Sequence, residues 1–418
     1  MLSNIKKNTY VIQILTLMSG TLVAQVVMLL SIPIITRLYS ASEFGLYALF
    51  ISIINIVGNI SSLKYEQAII LSKKEKDAST LLFISFVITS IIALVSFLVI
   101  LSFDTLISPY FNNSDIIYFI PLGILFVGLV QIFNAYSSRN QFYKVMAKVR
   151  MYNALNISFL QIITQYFLNF NGLILGKLTA DLFSVFYFLR YHWKKNTLQL
   201  RSISRRRIQF NLTKHSNFPK FQSTTVFFNS ISQNIPIFLL GYFYSLEIAG
   251  FYALTVRVLQ APIGLIGNST REVFYQKASN LNINKKSFFE LYCKTTLSLL
   301  KLMILPLIVI FFFGGEIYST FFGASWYTSG KYSEILIFWF FFAFINSPSI
   351  VAFSILGLQK IQMFIEIISM ILRFLSIFVG YYLFKSEISS LILFTITSTI
   401  VNIYLIIFIY FKLKKVFK

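Results

Sequence analysis

The chain has few charged residues, cysteines and histidines, the residue types that form ion pairs, disulfides, metal sites and catalytic sites in water-soluble proteins. Only 12% of its 418 residues are charged, and it contains one cysteine, Cys293, and two histidines. A single cysteine excludes an internal disulfide framework, and this composition offers no metal cluster, so we expect no metal and no other cofactor. His192 and His215 fall in one basic stretch, and we interpret both as solvated loop residues.

Long apolar runs are the feature that the chain has in excess. Hydrophobic residues make up 57% of it, and its mean hydropathy is +0.75. A water-soluble core cannot use uncharged runs of this length, and a transmembrane β-barrel would show short alternating segments. We therefore predict an all-α integral membrane protein. Its twelve predicted transmembrane helices cover roughly residues 10–32, 44–63, 79–102, 115–136, 152–168, 173–191, 219–241, 248–269, 290–313, 333–356, 361–383 and 388–411.

The charges of the predicted loops alternate along the chain. The two termini and the loops after even-numbered helices are rich in lysine and arginine, whereas the opposite loops contain only Arg37, Lys331 and Lys385. The positive-inside rule then places both termini in the cytoplasm. This topology and contact with anionic membrane lipids explain the net charge of +22, so we do not expect nucleic acid as a partner.

An internal repeat divides the chain into two similar halves. Residues 39–49 recur at 244–254, a constant offset of 205 (244 − 39), with Tyr-Ser and Gly-x-Tyr-Ala-Leu in both copies. The repeat predicts two six-helix lobes related by a pseudo-two-fold axis along the membrane normal, at residues 1–191 and 218–418. A basic cytoplasmic linker, 192–217, would join them. Such repeats are typical of transporters that work by alternating access.

Polar side chains in three predicted helices indicate a cavity. In the seventh helix they recur at steps of three and four residues, which places them on one helical face. Unpaired polar groups are costly in lipid, so we predict that they line a cavity; the alternative is that they only hold neighbouring helices together. The residues are Gln25 in the first helix, Gln222, Asn229 and Gln233 in the seventh, and Arg257 and Gln260 in the eighth.

Several charges lie deep inside predicted spans. Arg257, Lys301 and Arg373 are each near the middle of one, where an unpaired cation costs roughly 2.5–3.5 kcal/mol. Cations exceed acids in the second half, so we predict a cationic cavity and an anionic substrate such as a phosphate or carboxylate. For Lys301 and Arg373 a buried structural ion pair is the alternative. Asp181, which has Lys177 four residues away, and Glu366 are the candidates for ion coupling.

Motifs at helix ends resemble one family of membrane proteins. They are Arg37-Leu38-Tyr39-Ser40 followed by Glu43-Phe44-Gly45-Leu46-Tyr47-Ala48, then Asn217-Phe218-Pro219-Lys220, and Ala249-Gly250-Phe251-Tyr252-Ala253-Leu254. They resemble the Wzx-type O-antigen and polysaccharide repeat-unit flippases of the multidrug/oligosaccharidyl-lipid/polysaccharide (MOP) exporter superfamily. The resemblance covers the whole chain in length, helix count and topology.

The resemblance implies a flippase of the bacterial inner membrane. Its cargo would be an undecaprenyl-diphosphate-linked oligosaccharide repeat unit of O-antigen or a related surface polysaccharide, carried from the cytoplasmic to the periplasmic leaflet. It also implies a cationic central lumen for the diphosphate-sugar head, a role that Arg257 fits by type and depth. A polysaccharide polymerase and a chain-length regulator are the protein partners to expect.

Two other classes of function stay open. An integral-membrane polymerase or ligase would usually carry catalytic groups in a large periplasmic loop. The longest one predicted here, 314–332, has only Glu316 and Lys331 as charges, so we expect no enzyme. A small-solute or drug antiporter of the same fold would commonly have an acid in the first helix, and this first helix has none.

Overall fold

In the computed structural model, residues 9–112, 115–168, 172–196, 203–281 and 285–415 are described. Their secondary structure is entirely helical, as lipid requires of a backbone that must satisfy its N–H and C=O groups within each segment. The α-helices of the first half are α1 (Thr9–Leu38), α2 (Ala41–Gly58), α3 (Tyr65–Leu71), α4 (Glu75–Ser102), α5 (Asp104–Ile107), α6 (Ile120–Arg139), α7 (Tyr143–Leu168), α8 (Gly172–Lys194) and α9 (Arg205–Lys214).

The second half repeats this pattern of long helices joined by short turns. Its α-helices are α10 (Ser223–Phe243), α11 (Leu246–Pro262), α12 (Asn268–Leu281), α13 (Lys285–Phe322), α14 (Tyr327–Ile345), α15 (Ser347–Ile355), α16 (Gln359–Val379) and α17 (Glu387–Lys415). Short 3-10 or π turns cover Ser108–Phe111, Asp115–Phe119, Phe218–Gln222, Ile263–Gly267, Ala324–Trp326 and Gly380–Phe384.

Helical residues occupy every one of the twelve predicted spans. Nine segments of the described chain are long and apolar enough to cross a membrane, judged by length and composition. The predicted spans outside this set are α7, α10 and α11. Helix α7 begins with a cationic turn and α10 has a polar first half, which lowers their hydropathy. Helix α11 is only 17 residues long.

The predicted periplasmic loop 314–332 is wrong. Helix α13 continues to Phe322 with a kink at Phe313 (φ −125°, ψ 16°), and α14 already begins at Tyr327. Glycines on both helices allow α13 and α14 to pack closely. A Cβ atom added at Gly315 would lie 2.6 Å from the Tyr327 ring, and one added at Gly330 would overlap the carbonyl oxygen of Gly314.

His192 is also placed differently from its prediction. It lies within α8, which extends past the predicted end at 191, and its side chain is fully buried. Its Nε2 atom shares a hydrogen bond with Ser137 Oγ (2.9 Å), and its ring packs against aromatic side chains that include Phe133 and Tyr136. This aromatic cluster buries the ring, so His192 is a core residue; His215 is half-buried.

The chain folds into two compact units. Unit 1 comprises Met1–Leu38 and Leu46–Ile231, and unit 2 comprises Tyr39–Gly45 and Ser232–Lys418. Each unit has its own core: aromatic and branched side chains of α3, α4, α6, α7 and α8 in unit 1, and of α12, α13, α15 and α17 in unit 2. Helix α9 lies in the predicted linker, and its Ile208 and Leu212 pack against the core of unit 1. The predicted boundaries 1–191, 192–217 and 218–418 stay a prediction.

Candidate functional site

The repeated segments begin helices in the same way. Helix α2 starts at Ala41 and α11 at Leu246, which keeps the offset of the repeat (246 − 41). Ser40 forms a capping box with Glu43, since its N–H and its hydroxyl each donate to Glu43 Oε2 at 2.8 Å. At the equivalent position, the Ser245 hydroxyl accepts a hydrogen bond from the N–H of Ile248 (3.2 Å).

The two copies meet at their glycines, inside unit 2. A Cβ atom added at Gly45 would overlap the carbonyl oxygen of Leu246, and one added at Gly250 would overlap that of Ala41. The contact is reciprocal, because Gly45 and Gly250, like Ala41 and Leu246, are equivalent positions of the repeat. Glycine is needed at both positions for the backbones to approach this closely. Phe44 and Phe251 flank the contact, and the ring of Trp326 packs edge-on against both.

In the first half, the repeated helix is interrupted after Gly58. Leu63 and Lys64 both have a positive φ (49° and 61°), which is rare for such side chains. Lys64 is buried and forms an ion pair with buried Glu66 (Nζ–Oε1 3.3 Å), to which the Ser62 hydroxyl also donates a hydrogen bond. The ion pair and this hydrogen bond hold the strained turn in place.

In the second half, the equivalent helix continues through the equivalent position. Helix α11 ends at Pro262 and runs directly into the π turn Ile263–Gly267, whose first residue corresponds to Gly58 (263 − 58 = 205), and α12 begins at Asn268. A π turn widens the helix here without breaking it. The predicted span 248–269 therefore agrees with a continuous helical segment, whereas the predicted span 44–63 missed the interruption after Gly58.

The polar residues predicted to line a cavity have varied surroundings. Asn229 and Gln233 of α10 and Gln260 of α11 have exposed side chains, and Arg257 is half-buried. In unit 1, the Gln222 amide donates a hydrogen bond to Gln67 of α3. The last of the six predicted cavity residues is Gln25 of α1. Its buried Oε1 atom has no hydrogen-bond partner within the described residues. Their role in a cavity stays a prediction.

Arg373 is a buried cation of unit 2 held by uncharged groups. Its side chain extends from α16, where the residue is 8% exposed. Its Nη1 donates to Ser232 Oγ (3.1 Å), its Nε donates to Ser398 Oγ (3.2 Å), and its guanidinium lies 5.6 Å from the centre of the Trp339 ring. None of the ion pairs of the described residues includes Arg373. No carboxylate of these ion pairs lies within 4.0 Å of Arg373, and its role in binding stays a prediction.

The other charged candidates differ from Arg373. Asp181 is buried and forms the expected ion pair with Lys177; it also accepts a hydrogen bond from Asn153 Nδ2 (3.0 Å). Glu366 is half-buried, two helical turns from Arg373 on the same helix, and interacts with it electrostatically. Lys301 has an exposed side chain on α13. Their roles in substrate binding or ion coupling remain predictions.

This arrangement is suited to binding anions. Arg373 offers a guanidinium in a water-poor environment, where charge-assisted hydrogen bonds are strong. Within the described residues there is no group of three or more His, Cys, Asp or Glu side chains that could hold a metal ion.

A family model described as "Polysaccharide biosynthesis protein" matches residues 34–330. The chain belongs to this family. The matched range includes both copies of the repeat and the helices that they begin, α2 and α11. No curated protein matches the sequence of this chain.

Solved structures of other membrane proteins have a similar fold. The lipid II flippase MurJ in an inward closed conformation is similar with a TM-score of 0.74 and 14% identity, over 95% of this chain and 89% of that one. An inward-facing MATE family multidrug resistance transporter of the MOP superfamily gives a TM-score of 0.67 with 12% identity, over 95% of both chains. A Vibrio cholerae MATE transporter gives 0.60 with 14% identity, over 96% of this chain and 95% of that one.

These similarities confirm the resemblance at the level of family and fold. The protein has the all-α fold of the MOP superfamily, with twelve transmembrane helices in two lobes, and is a multi-pass membrane protein. At sequence identities of 12% and 14%, these similarities show a shared fold and nothing about function.

Proposed function

We propose that the protein is a flippase for undecaprenyl-diphosphate-linked oligosaccharide repeat units of O-antigen or a related surface polysaccharide. The observation that carries the proposal is buried Arg373, a cation that makes no ion pair with a described carboxylate. In a polysaccharide biosynthesis protein with a flippase fold, the diphosphate of a lipid-linked glycan is an anion that could neutralise it.

The cargo would be recognised in two parts. Arg373, Arg257 and Lys301 would attract the diphosphate, with Ser232 and Ser398 keeping the Arg373 guanidinium oriented. The exposed amides of the α10 face and of Gln260 would hydrogen-bond the sugars, which need many donors and acceptors. The polyprenyl chain would stay in the lipid.

The direction of transport follows from the proposed topology. With both termini in the cytoplasm of a bacterial inner membrane, the cargo would enter from the cytoplasmic leaflet and leave to the periplasmic one. The residues 1–191 and 218–418 would act as the two lobes of an alternating-access cycle. A polymerase and a chain-length regulator would then use the exported units.

A small-solute or drug antiporter is the second candidate, favoured by the similarity to MATE transporters. Such a protein needs a titratable group for ion coupling, and the candidates are Asp181 and Glu366. Asp181 is engaged by Lys177 and Asn153. Glu366, half-buried in α16, is the better candidate of the two.

The test of the flippase is a gene deletion in the native host, followed by analysis of the lipid-linked glycans. We expect undecaprenyl-diphosphate repeat units to accumulate on the cytoplasmic side and surface polysaccharide to be lost. Surface display of single repeat units without long chains would instead indicate a polymerase. A strain with unchanged glycans would leave the antiporter as the better proposal.

The same strain tests the role of Arg257. Complementation with Arg257→Ala should reduce export about tenfold or more, the effect of losing ~1.5–3 kcal/mol of charged hydrogen bonding. Arg206→Ala, which changes an exposed arginine of α9, is the control and should export at the wild-type level. Normal export by Arg257→Ala at normal abundance would contradict its role in binding.

A further inference from the structure

Unit 1 contains a cavity between α7 and α8 that the transport proposal does not use. Its volume is about 370 Å³, within the ~300–1,000 Å³ range of small-molecule sites. The lining consists entirely of residues from these two helices: Val149, Tyr152, Asn153 and Asn156 from α7, and Phe183, Ser184, Phe186 and Tyr187 from α8.

The polar groups of the cavity are only partly engaged by the protein. Asn153 Nδ2 donates to Asp181 Oδ1 (3.0 Å) and to Ser184 Oγ (2.9 Å), and the Ser184 hydroxyl in turn donates to the carbonyl oxygen of Ala180. The half-buried amide of Asn156 also lines the cavity. It therefore offers a hydrogen-bonding group to a ligand that enters the cavity.

The rim of the cavity is apolar and exposed. Phe183 and Phe186 are 54% and 58% exposed, and Phe159, one turn beyond Asn156 on α7, is 61% exposed. In a membrane protein such a face contacts hydrocarbon, because lipid is the environment that accepts it. The cavity therefore opens towards acyl chains, and the ring contact between Tyr152 and Tyr187 (5.9 Å) bridges the two helices beside it.

Two cations lie one helical turn from the cavity, towards the ends of the helices at Tyr143 and Lys194. Lys148 precedes Tyr152 by four residues, and Arg190 follows Phe186 by four residues, so each shares a helical face with a lining residue. Both side chains are exposed, and neither takes part in an ion pair of the described residues. In the proposed topology this end of both helices is cytoplasmic.

We propose that this cavity, with Lys148 and Arg190 beside its cytoplasmic end, binds an anionic phospholipid of the cytoplasmic leaflet. Lys148 and Arg190 pair with the phosphate, and the acyl chains lie on Phe183 and Phe186. The Asn156 amide, which lies deeper in the membrane than the two cations, donates a hydrogen bond to an ester carbonyl of the lipid. Basic pockets between transmembrane helices on the cytoplasmic side recognise anionic headgroups by this combination of charge and hydrogen bonding. The occupant is a resident lipid and not the cargo.

The experiment measures lipid binding by the purified full-length protein. Native mass spectrometry would titrate phosphatidylglycerol against phosphatidylcholine and compare wild type with the double variant Lys148→Gln/Arg190→Gln. We expect one high-affinity phosphatidylglycerol that is weakened about fivefold per cation removed, which corresponds to ~1 kcal/mol each. Asn156→Leu in the wild-type background should also weaken binding, because it removes the hydrogen bond to the ester carbonyl.

The control changes two exposed cations elsewhere in unit 1, Lys73→Gln and Lys76→Gln. Equal weakening by control and test variants would overturn the proposal, because binding would then follow net charge alone. The proposal would also be overturned if the wild-type protein retained phosphatidylcholine as well as phosphatidylglycerol. The same holds if undecaprenyl phosphate displaced phosphatidylglycerol at equimolar concentration. Melting temperatures of all variants, measured in detergent, distinguish loss of the lipid from loss of the fold.

Discussion

Lys64 and Arg373 are two cations that the protein buries in different ways. Lys64 faces a carboxylate, that of Glu66, at 3.3 Å. Arg373 faces two hydroxyls and an indole ring. Opposite charges recover much of the cost of leaving water, whereas hydroxyls recover less of it. We infer that Arg373 is kept at a cost to stability, which is a reason to connect it with binding.

Replacing Arg373 should therefore separate stability from transport. We expect Arg373→Met to be neutral or stabilising by about 1–4 kcal/mol, because an apolar side chain of similar length removes a buried charge. Ser232 and Ser398 can then bond to carbonyl groups of their own helices. Export should nevertheless fall about tenfold or more. Thermal unfolding of the purified protein and complementation of the deletion strain measure the two effects.

The matched control is an arginine that does have an ionic partner. Arg139 pairs with Glu75 and donates from Nε to the carbonyl oxygen of Ser72 (3.0 Å). Arg139→Met should lose about 1–3 kcal/mol of stability, since it leaves these acceptors without their donor. Arg373 would be a structural residue under two conditions. Arg373→Met would unfold at as low a temperature as Arg139→Met, and its glycan export per molecule of protein would equal that of the wild type.

At the scale of elements, the sequence predicts where helices lie better than where they break. Span 44–63 was predicted as continuous because hydropathy averages over its interruption. This break depends on positive φ angles at Leu63 and Lys64, residue types that do not signal a turn. Gly314 and Gly315 directly follow the kink at Phe313, and they also allow α13 to pack closely on α14. Glycine is compatible with a bend and with close packing, and only the neighbouring helix shows that close packing is required here.

The surroundings of the deep charges show the same limit. The pairing of Asp181 with Lys177 could be predicted because both lie on one helix at a spacing of four. The partners of Arg373 come from three other helices and could not, because side-chain packing between distant segments leaves no periodic signal. Hydropathy therefore predicted the spans and the recurring residues predicted the repeat, but neither predicted the side chains that surround Arg373.

The glycine contact of the repeat should be intolerant of any side chain. Gly45→Ala and Gly250→Ala each put a methyl group onto a backbone carbonyl, which cannot rotate away, so the two helices must separate. We expect each change to cost about 1–3 kcal/mol. Detergent thermostability, followed by size-exclusion chromatography of a fluorescent fusion, would measure the loss.

A third glycine of the repeated region provides the control. A Cβ atom at Gly267 would lie 3.4 Å from the nearest atom, a methyl group of Ile263, so Gly267→Ala should stay close to wild type. If Gly45→Ala and Gly250→Ala were as stable as Gly267→Ala, the close backbone contact would not exist in the protein.

At the scale of the whole molecule, the distribution of cations predicts the orientation in the membrane. Cys293 is the single cysteine, so Cys293→Ser gives a background for cysteine labelling. On intact cells, a membrane-impermeant maleimide should label Asn112→Cys and Lys385→Cys, which have exposed side chains on the predicted periplasmic side. It should label Lys76→Cys and Arg206→Cys only after permeabilisation, because their loops carry the positive charge that stays in the cytoplasm.

The labelling pattern also decides the direction of transport and the sidedness of the lipid cavity. Labelling of Lys76→Cys in intact cells would invert the topology and place Lys148 and Arg190 at the outer leaflet. If Asn112→Cys and Lys385→Cys are both labelled from outside, the two positions lie on the same side of the membrane. The number of spans between them must then be even. That result would support the twelve-helix topology together with the cytoplasmic entry of the cargo, since one misassigned helix in that interval would put the two positions on opposite sides.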